Sequence, residues 1–192
     1  MCYFRLKVIF QIYYTTFHNL LTMGSCFSSQ EEKALKNCSI DSTPFHSLDG
    51  LTFKCVVLDC YDGDTCNVAI FIDKRLQQFK CRLTGIDTPE MKIEQQHAQA
   101  INARNFLIEC ITNKKLANKN ASKKEIQQHL HNNKTIIKIE CGKWDKYGRL
   151  LATLYTTKRS FSFSTMMKEK LCINHEMIKS GYAKPYSGGK KE

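Results

Sequence analysis

The side chains best equipped for chemistry are carboxylates and guanidiniums grouped in three short stretches. Asp62-Gly63-Asp64-Thr65 and Asp87-Thr88-Pro89-Glu90 each set two acids around a turn. Pro89 fixes a turn and pushes Thr88 away from helix, so the backbone there can offer a carbonyl. Two carboxylates and a carbonyl converging at strand ends suit a hard cation such as Ca²⁺, which takes oxygen ligands and keeps waters. Taken singly, each stretch is also an ordinary loop word, since Asp-Gly and Asp-Thr-Pro are common in turns.

The cations come next. Arg82 alternates with apolar Cys81 and Leu83, so it points to the opposite face of its strand. Arg149 follows a Tyr147-Gly148 turn. A planar guanidinium can hold two phosphate oxygens at once, which an ammonium cannot. Two such forks beside a metal could absorb charge developing on a phosphorane-like transition state. A further carboxylate could take a proton from water. For any one arginine alone, a plain surface ion pair is the simpler account.

Positioning these groups requires strands. Leu51–Asp59, Thr65–Ile72 and Gln77–Ile86 are rich in Val, Ile, Phe, Thr and Cys, are separated by Asp-Gly and Asp-Lys turns, and read as three strands. Gln95–Asn113 reads as a helix, with Ala100, Ala103, Leu107, Cys110 and Ile111 on one face. Residues 114–134 carry six Lys against one acid, Glu125, and read as a basic, solvated insertion with a short helix near Lys124–His131. Its His129 and His131 read as solvated side chains. Thr135–Cys141 and Leu150–Thr156 read as two more strands, and Cys172–Ser180 as a helix stopped by Gly181. Five short strands with a helix after the third suggest an α+β, mainly β fold: a five-stranded oligonucleotide/oligosaccharide-binding (OB) barrel with packed helices.

The chain has 192 residues, room for one domain and an attached segment. With 29 Lys+Arg against 18 Asp+Glu its net charge is +11, which favours a polyanion or an anionic membrane as partner. Its 10 cysteines include no Cys-x-x-Cys pair at zinc-finger spacing, and those in strands read as reduced, buried hydrophobes. That pattern favours an intracellular setting.

Residues 1–50 are expected to be an apolar targeting segment followed by a polar tether, residues 51–186 the folded domain, and 187–192 a tail. Val8–Phe17 is apolar behind Arg5 and Lys7, as in a signal-type anchor. Met23-Gly24-Ser25-Cys26-Phe27-Ser28 fits an N-myristoylation pattern if translation starts at Met23, with Gly24 acylated and Cys26 placed for palmitoylation. The same residues loosely resemble a bacterial lipoprotein cleavage box. Membrane association through either route is the expectation, with a soluble intracellular protein as the other outcome, and a monomer in either case.

The three stretches together carry a resemblance. Asp62-Gly63-Asp64-Thr65, then Arg82-Leu83 leading to Asp87-Thr88-Pro89-Glu90, then Asp145-Lys146-Tyr147-Gly148-Arg149 resemble, in order and spacing, the staphylococcal (thermonuclease) family over residues 51–186. The resemblance implies Ca²⁺-dependent endonucleolytic hydrolysis of DNA and RNA, leaving 3′-phosphate ends. It implies Asp64, Asp87 and the Thr88 carbonyl as calcium ligands, with Asp62 behind them. It implies Glu90 as general base and Arg82 and Arg149 as phosphate clamps, Arg149 also favouring departure of the 5′-oxygen. Tyr147 would meet a terminal phosphate and Tyr186 would stack on a base. The chain departs from the family in a shorter loop after Glu90, in the added 114–134 stretch and in a much reduced C-terminal helical region. The main alternative is a family domain that grips nucleic acid without cutting it; such domains typically lose the catalytic acids and arginines, and all five are present here. A third class, a membrane-bound adaptor using the domain as scaffold, rests on the N-terminus alone.

Overall fold

Runs rich in Val, Ile, Phe, Thr and Cys build the strands, as expected, and a computed structural model of the chain gives their bounds and pairing. It describes residues 29–159 and 168–188, and the chain divides into two units between His46 and Ser47. Of the first unit, the described residues include a helical stretch, 29–36. Gly24 and Cys26 lie outside the described residues. Among the described residues no helix is long and apolar enough to cross a membrane.

In the second unit, strands β1 (Thr52–Cys60), β2 (Thr65–Ile72) and β3 (Arg75–Leu83) form an antiparallel meander. The β2–β3 hairpin turns on Asp73 and Lys74, both with positive φ, as a tight two-residue loop between right-twisted strands requires. The third strand ends sooner than the sequence suggests. Gly85, at φ 75°, breaks it, and Ile86–Asp87 becomes a separate short strand, β4. Helix α1 (His97–Thr112) follows, then α2 (Lys123–Asn132), β5 (Ile137–Trp144) and β6 (Leu150–Arg159). Strands β1, β5 and β6 pair antiparallel, and β6 returns parallel to β3, closing a five-stranded mixed barrel. This is the OB-like, mainly β architecture expected. Beyond it lie β7 (Lys168–Cys172), which the sequence pattern did not suggest, α3 (Ile173–Lys179) and β8 (Lys184–Pro185). Helix α3 ends where Gly181 adopts φ 75°, and the Tyr182 N–H reaches back to the Met177 carbonyl at 2.9 Å.

The barrel interior is filled by inward-facing residues such as Val57, Val68, Ile70, Leu83, Ile139 and Leu154, all at most 2% exposed. Cys55, Cys66, Cys81 and Cys141 share that interior as free thiols. Burial pushes Cys55 and Cys81 up to about 12 and Cys141 up to about 11, so they stay protonated and act as small apolar side chains.

The 114–134 stretch differs from a wholly solvated insertion. Ser122 and Glu125 form a reciprocal capping box that starts α2. Ile126 and Leu130, four residues apart, then fall on one face and join the core with Ala121. His129, expected in solvent, is half-buried, and its Nε2 is enclosed without a hydrogen-bond partner. Because α2 completes the core, Leu130→Ala should destabilise the domain by about 2–5 kcal/mol in chemical denaturation. A helix lying in solvent would lose far less.

Candidate active site at the barrel mouth

The turn between β1 and β2 holds Gly63, between Asp62 and Asp64, against Ala103 in the middle of α1. Gly63 leaves no room for a side chain: an added Cβ would lie 2.8 Å from Ala103 Cβ and Thr88 Cγ2. That close approach brings Thr88 onto Asp64. The Thr88 N–H (3.1 Å) and hydroxyl (2.9 Å) both donate to Asp64 Oδ2. Thr65 donates to Asp64 Oδ1, and the Asp64 N–H donates to Asp62 Oδ1 at 3.0 Å.

Arg82 joins the two acidic stretches. Its guanidinium meets Asp64 Oδ2 at 2.6 Å and Asp87 Oδ1 at 3.1 Å, so one cation is shared by two carboxylates. The Arg82 and Asp64 side chains are only 11% and 6% exposed, while Asp87 is 28% exposed toward solvent. Glu90 follows Pro89 on the same loop, half-buried, with its N–H donated to Gln96 Oε1 at 2.9 Å. Gln96 therefore anchors the base of the Glu90 segment, a role that nothing in its sequence position announces.

Arg149 reaches the same region through barrel closure. Cys81 pairs with Leu150 and Arg82 with Leu151 in the parallel β3–β6 ladder. Cys81, Leu83, Leu150 and Ala152 all point inward, so Arg82 and Leu151 share the outer face, and Arg149 directly precedes β6 at the end of the turn beside them. Asp145 shapes Arg149. Its carboxylate accepts the N–H groups of Tyr147 and Arg149 and binds Arg149 Nε at 2.6 Å. These contacts hold the Asp145 carboxyl below its ordinary range against the opposing effect of its burial. Asp145 thus grips the guanidinium by its Nε edge and leaves the two terminal nitrogens to point elsewhere. The Arg149 guanidinium also lies 5.4 Å from the centre of the exposed Tyr147 ring.

Tyr186 sits after β8. Its N–H donates to the Gly85 carbonyl at 3.0 Å, tying the C-terminal segment to the loop that carries Asp87. Asp87 is itself paired with Lys184 in the β4–β8 ladder. A further residue that sequence reasoning missed is Asn174. Buried in α3, it accepts from the Leu154 N–H and donates to the Thr84 and Ala152 carbonyls, locking the strands behind the site.

The donor set suits a hard cation. Asp64 and Asp87 already converge on one positive group, and their oxygens match the chemistry of Ca²⁺. Among the described residues no three of His, Cys, Asp and Glu gather closely enough to enclose a metal.

A closed OB-like barrel with clustered acids and two arginines on its mouth defines a domain of nuclease or nucleic-acid-binding type. The model of staphylococcal nuclease homologues matches residues 80–192, more than half the chain, and the protein belongs to that family. The match begins within β3, so Asp62 and Asp64 lie upstream of it and are joined to it by the barrel's hydrogen bonds. A comparison with curated proteins finds no match.

The acid cluster carries a pH signature. Burial, then the neighbouring Asp64 charge, raises Asp62 to about 6 from an ordinary value of 3.8. A raised carboxyl favours its protonated form in the folded state, so its contribution to stability is full below about 4 and is lost as pH climbs through about 6. Asp62→Asn keeps the acceptor oxygen for the Asp64 N–H. It should gain stability over the parent as pH rises from 4 to 6, measured as denaturation midpoints in chelator; parallel pH curves for the two proteins would refute the assignment.

Proposed function

We propose that the protein is a calcium-dependent endonuclease that hydrolyses phosphodiester bonds of DNA or RNA and leaves 3′-phosphate ends. The observation that carries this reading is the Arg82 fork shared by Asp64 and Asp87, with Arg149 two residues before Leu151, the ladder partner of Arg82. The family adds weight, since its members are nucleases or nucleic-acid-binding domains.

Asp64 and Asp87, with the Thr88 carbonyl, would hold Ca²⁺, whose charge would offset that of the phosphate. Asp62, bonded to the Asp64 N–H, steadies that acid from behind. A guanidinium has five N–H donors, and Arg82 uses only part of them on its two carboxylates. The others would meet a non-bridging phosphate oxygen. Arg149, held at Nε by Asp145, presents its terminal nitrogens as a fork for the same phosphate and favours departure of the 5′-oxygen. Glu90 accepts a proton from the attacking water. Tyr147, exposed beside Arg149, would contact a terminal phosphate, and Tyr186 would stack against a base. The alternative, a catalytically weak binding module, shares every contact except productive proton transfer, so kinetics separates the two.

Glu90→Gln keeps the shape and removes the base; its cleavage rate should fall by roughly 10²–10⁴ with nucleic-acid affinity largely kept. Arg82→Lys cannot span two carboxylates and a phosphate, and should lose most activity even in saturating Ca²⁺. Excess Ca²⁺ chelator should abolish cleavage of both variants and parent. Full activity in chelator would refute the calcium assignment. Equal rates for parent and Glu90→Gln would leave the binding module as the better account.

A further inference from the structure

Helix α2 carries two stripes at helical spacing. Ile126 and Leu130 face the core. Lys123, Gln127 and His131, each four residues apart, and then Lys134 just past the helix line a groove of about 370 Å³. Across it stand Asn67 of β2 and Gln78 of β3. The acid of the lining, Asp59, is paired with Lys123 at 3.7 Å, which offsets its charge. What the groove then presents is an ammonium, an imidazole and three amides.

This groove is in line with the site at the barrel mouth. In the β2–β3 ladder Thr65 pairs with Arg82, Asn67 with Lys80, and Ala69 with Gln78. The alternate residues Cys66, Val68, Phe79 and Cys81 point inward. Arg82, Lys80 and Gln78 therefore form one outward row, with Asn67 beside Lys80. Four residues of strand cover ~13 Å, so positive and amide groups recur along the row at ~6.6 Å intervals.

We propose that the groove between α2 and the outer face of β2–β3 is a second nucleic-acid subsite, holding a single strand whose scissile phosphate lies at Arg82. The proposal rests on the phosphodiester reading of the barrel mouth and adds to it a place for the flanking nucleotides. The recurring cations suit a chain of evenly spaced phosphates. The amides of Asn67, Gln78 and Gln127 both donate and accept, as unpaired base edges and sugar hydroxyls require. An acidic peptide would use the cations and leave those amides unmatched. Glu125, the acid of the 114–134 stretch, is turned to the start of α2 in the capping box and does not line the groove.

The full chain is titrated, in excess chelator, into a fluorescein-labelled oligothymidylate about twelve nucleotides long, within the usual footprint of an OB barrel. Lys134→Glu is compared with Lys54→Glu, an equal charge change at an exposed β1 position outside the groove. Lys134→Glu should weaken binding about tenfold and reduce the salt slope by about one ion, with Lys54→Glu close to the parent. Gln127→Ala, which changes no charge, should weaken binding too. In Ca²⁺, Lys134→Glu should cut a dinucleotide at the parental rate and the long oligonucleotide with a lower kcat/KM. The proposal is overturned if Lys134→Glu and Lys54→Glu bind alike, if the parent does not bind, or if polyglutamate competes as well as the oligonucleotide. A parent that binds through Lys134 but cuts neither substrate would sink the nuclease reading and leave the groove standing.

Discussion

Three register pairs, Cys81 with Leu150, Arg82 with Leu151 and Leu83 with Ala152, convert an antiparallel sheet into a closed barrel. Parallel pairing of these distant strands needs a long crossover, and α1, α2 and β5 supply it. Closure removes two sheet edges and gives the inward thiols and aliphatics a sealed interior. It also sets Arg149, at the end of the turn that enters β6, two residues before the partner of Arg82. Asn174 reinforces the seam, because its one amide satisfies a Leu154 N–H and carbonyls of Ala152 and Thr84 on both sides of it.

The mouth of the barrel is costly by construction. Asp62 and Asp64 are buried close together, and burial first, then their mutual repulsion, raises the Asp62 carboxyl. Arg82 and the two donors of Thr88 compensate Asp64. Gly63 makes that compensation sterically possible, since any side chain there would drive Thr88 away. Concentrated negative charge held on a rigid frame is what the proposed Ca²⁺ site requires. The same tension explains why this region should gain stability when a carboxylate is replaced by an amide.

The inserted helix shows how a polar sequence can be structural and functional at once. Its hydrophilic composition hides two apolar residues, Ile126 and Leu130, whose four-residue spacing is enough to dock it on β1. Docking then sets the neighbouring polar stripe beside the outer face of the barrel. Without those two anchors, Lys123, Gln127 and His131 would have no defined relation to Asn67 or Gln78.

Local signals in the sequence settled a good deal. Runs of β-branched, aromatic and Cys residues between turn words marked β1, β2 and most of β3, helical periodicity marked α1, and Gly181 marked the end of α3, because each depends on contacts between near neighbours. The acids and arginines of the site were legible for the same reason: Asp-Gly-Asp, Asp-Thr-Pro-Glu and Asp-Lys-Tyr-Gly-Arg are short words with local chemistry. Only the tertiary structure decided that β3 stops before Gly85, that Ile86–Asp87 pairs with Lys184–Pro185, and that α2 completes the core. It alone brought Asp64 within 2.6 Å of Arg82 and gave Gln96, Asp145 and Asn174 their roles. Most of these depend on partners far apart along the chain, and even the local Asp145 grip on Arg149 depends on the exact turn. Neither residue type nor periodicity carries information about which distant backbone group a side chain will meet once the barrel closes.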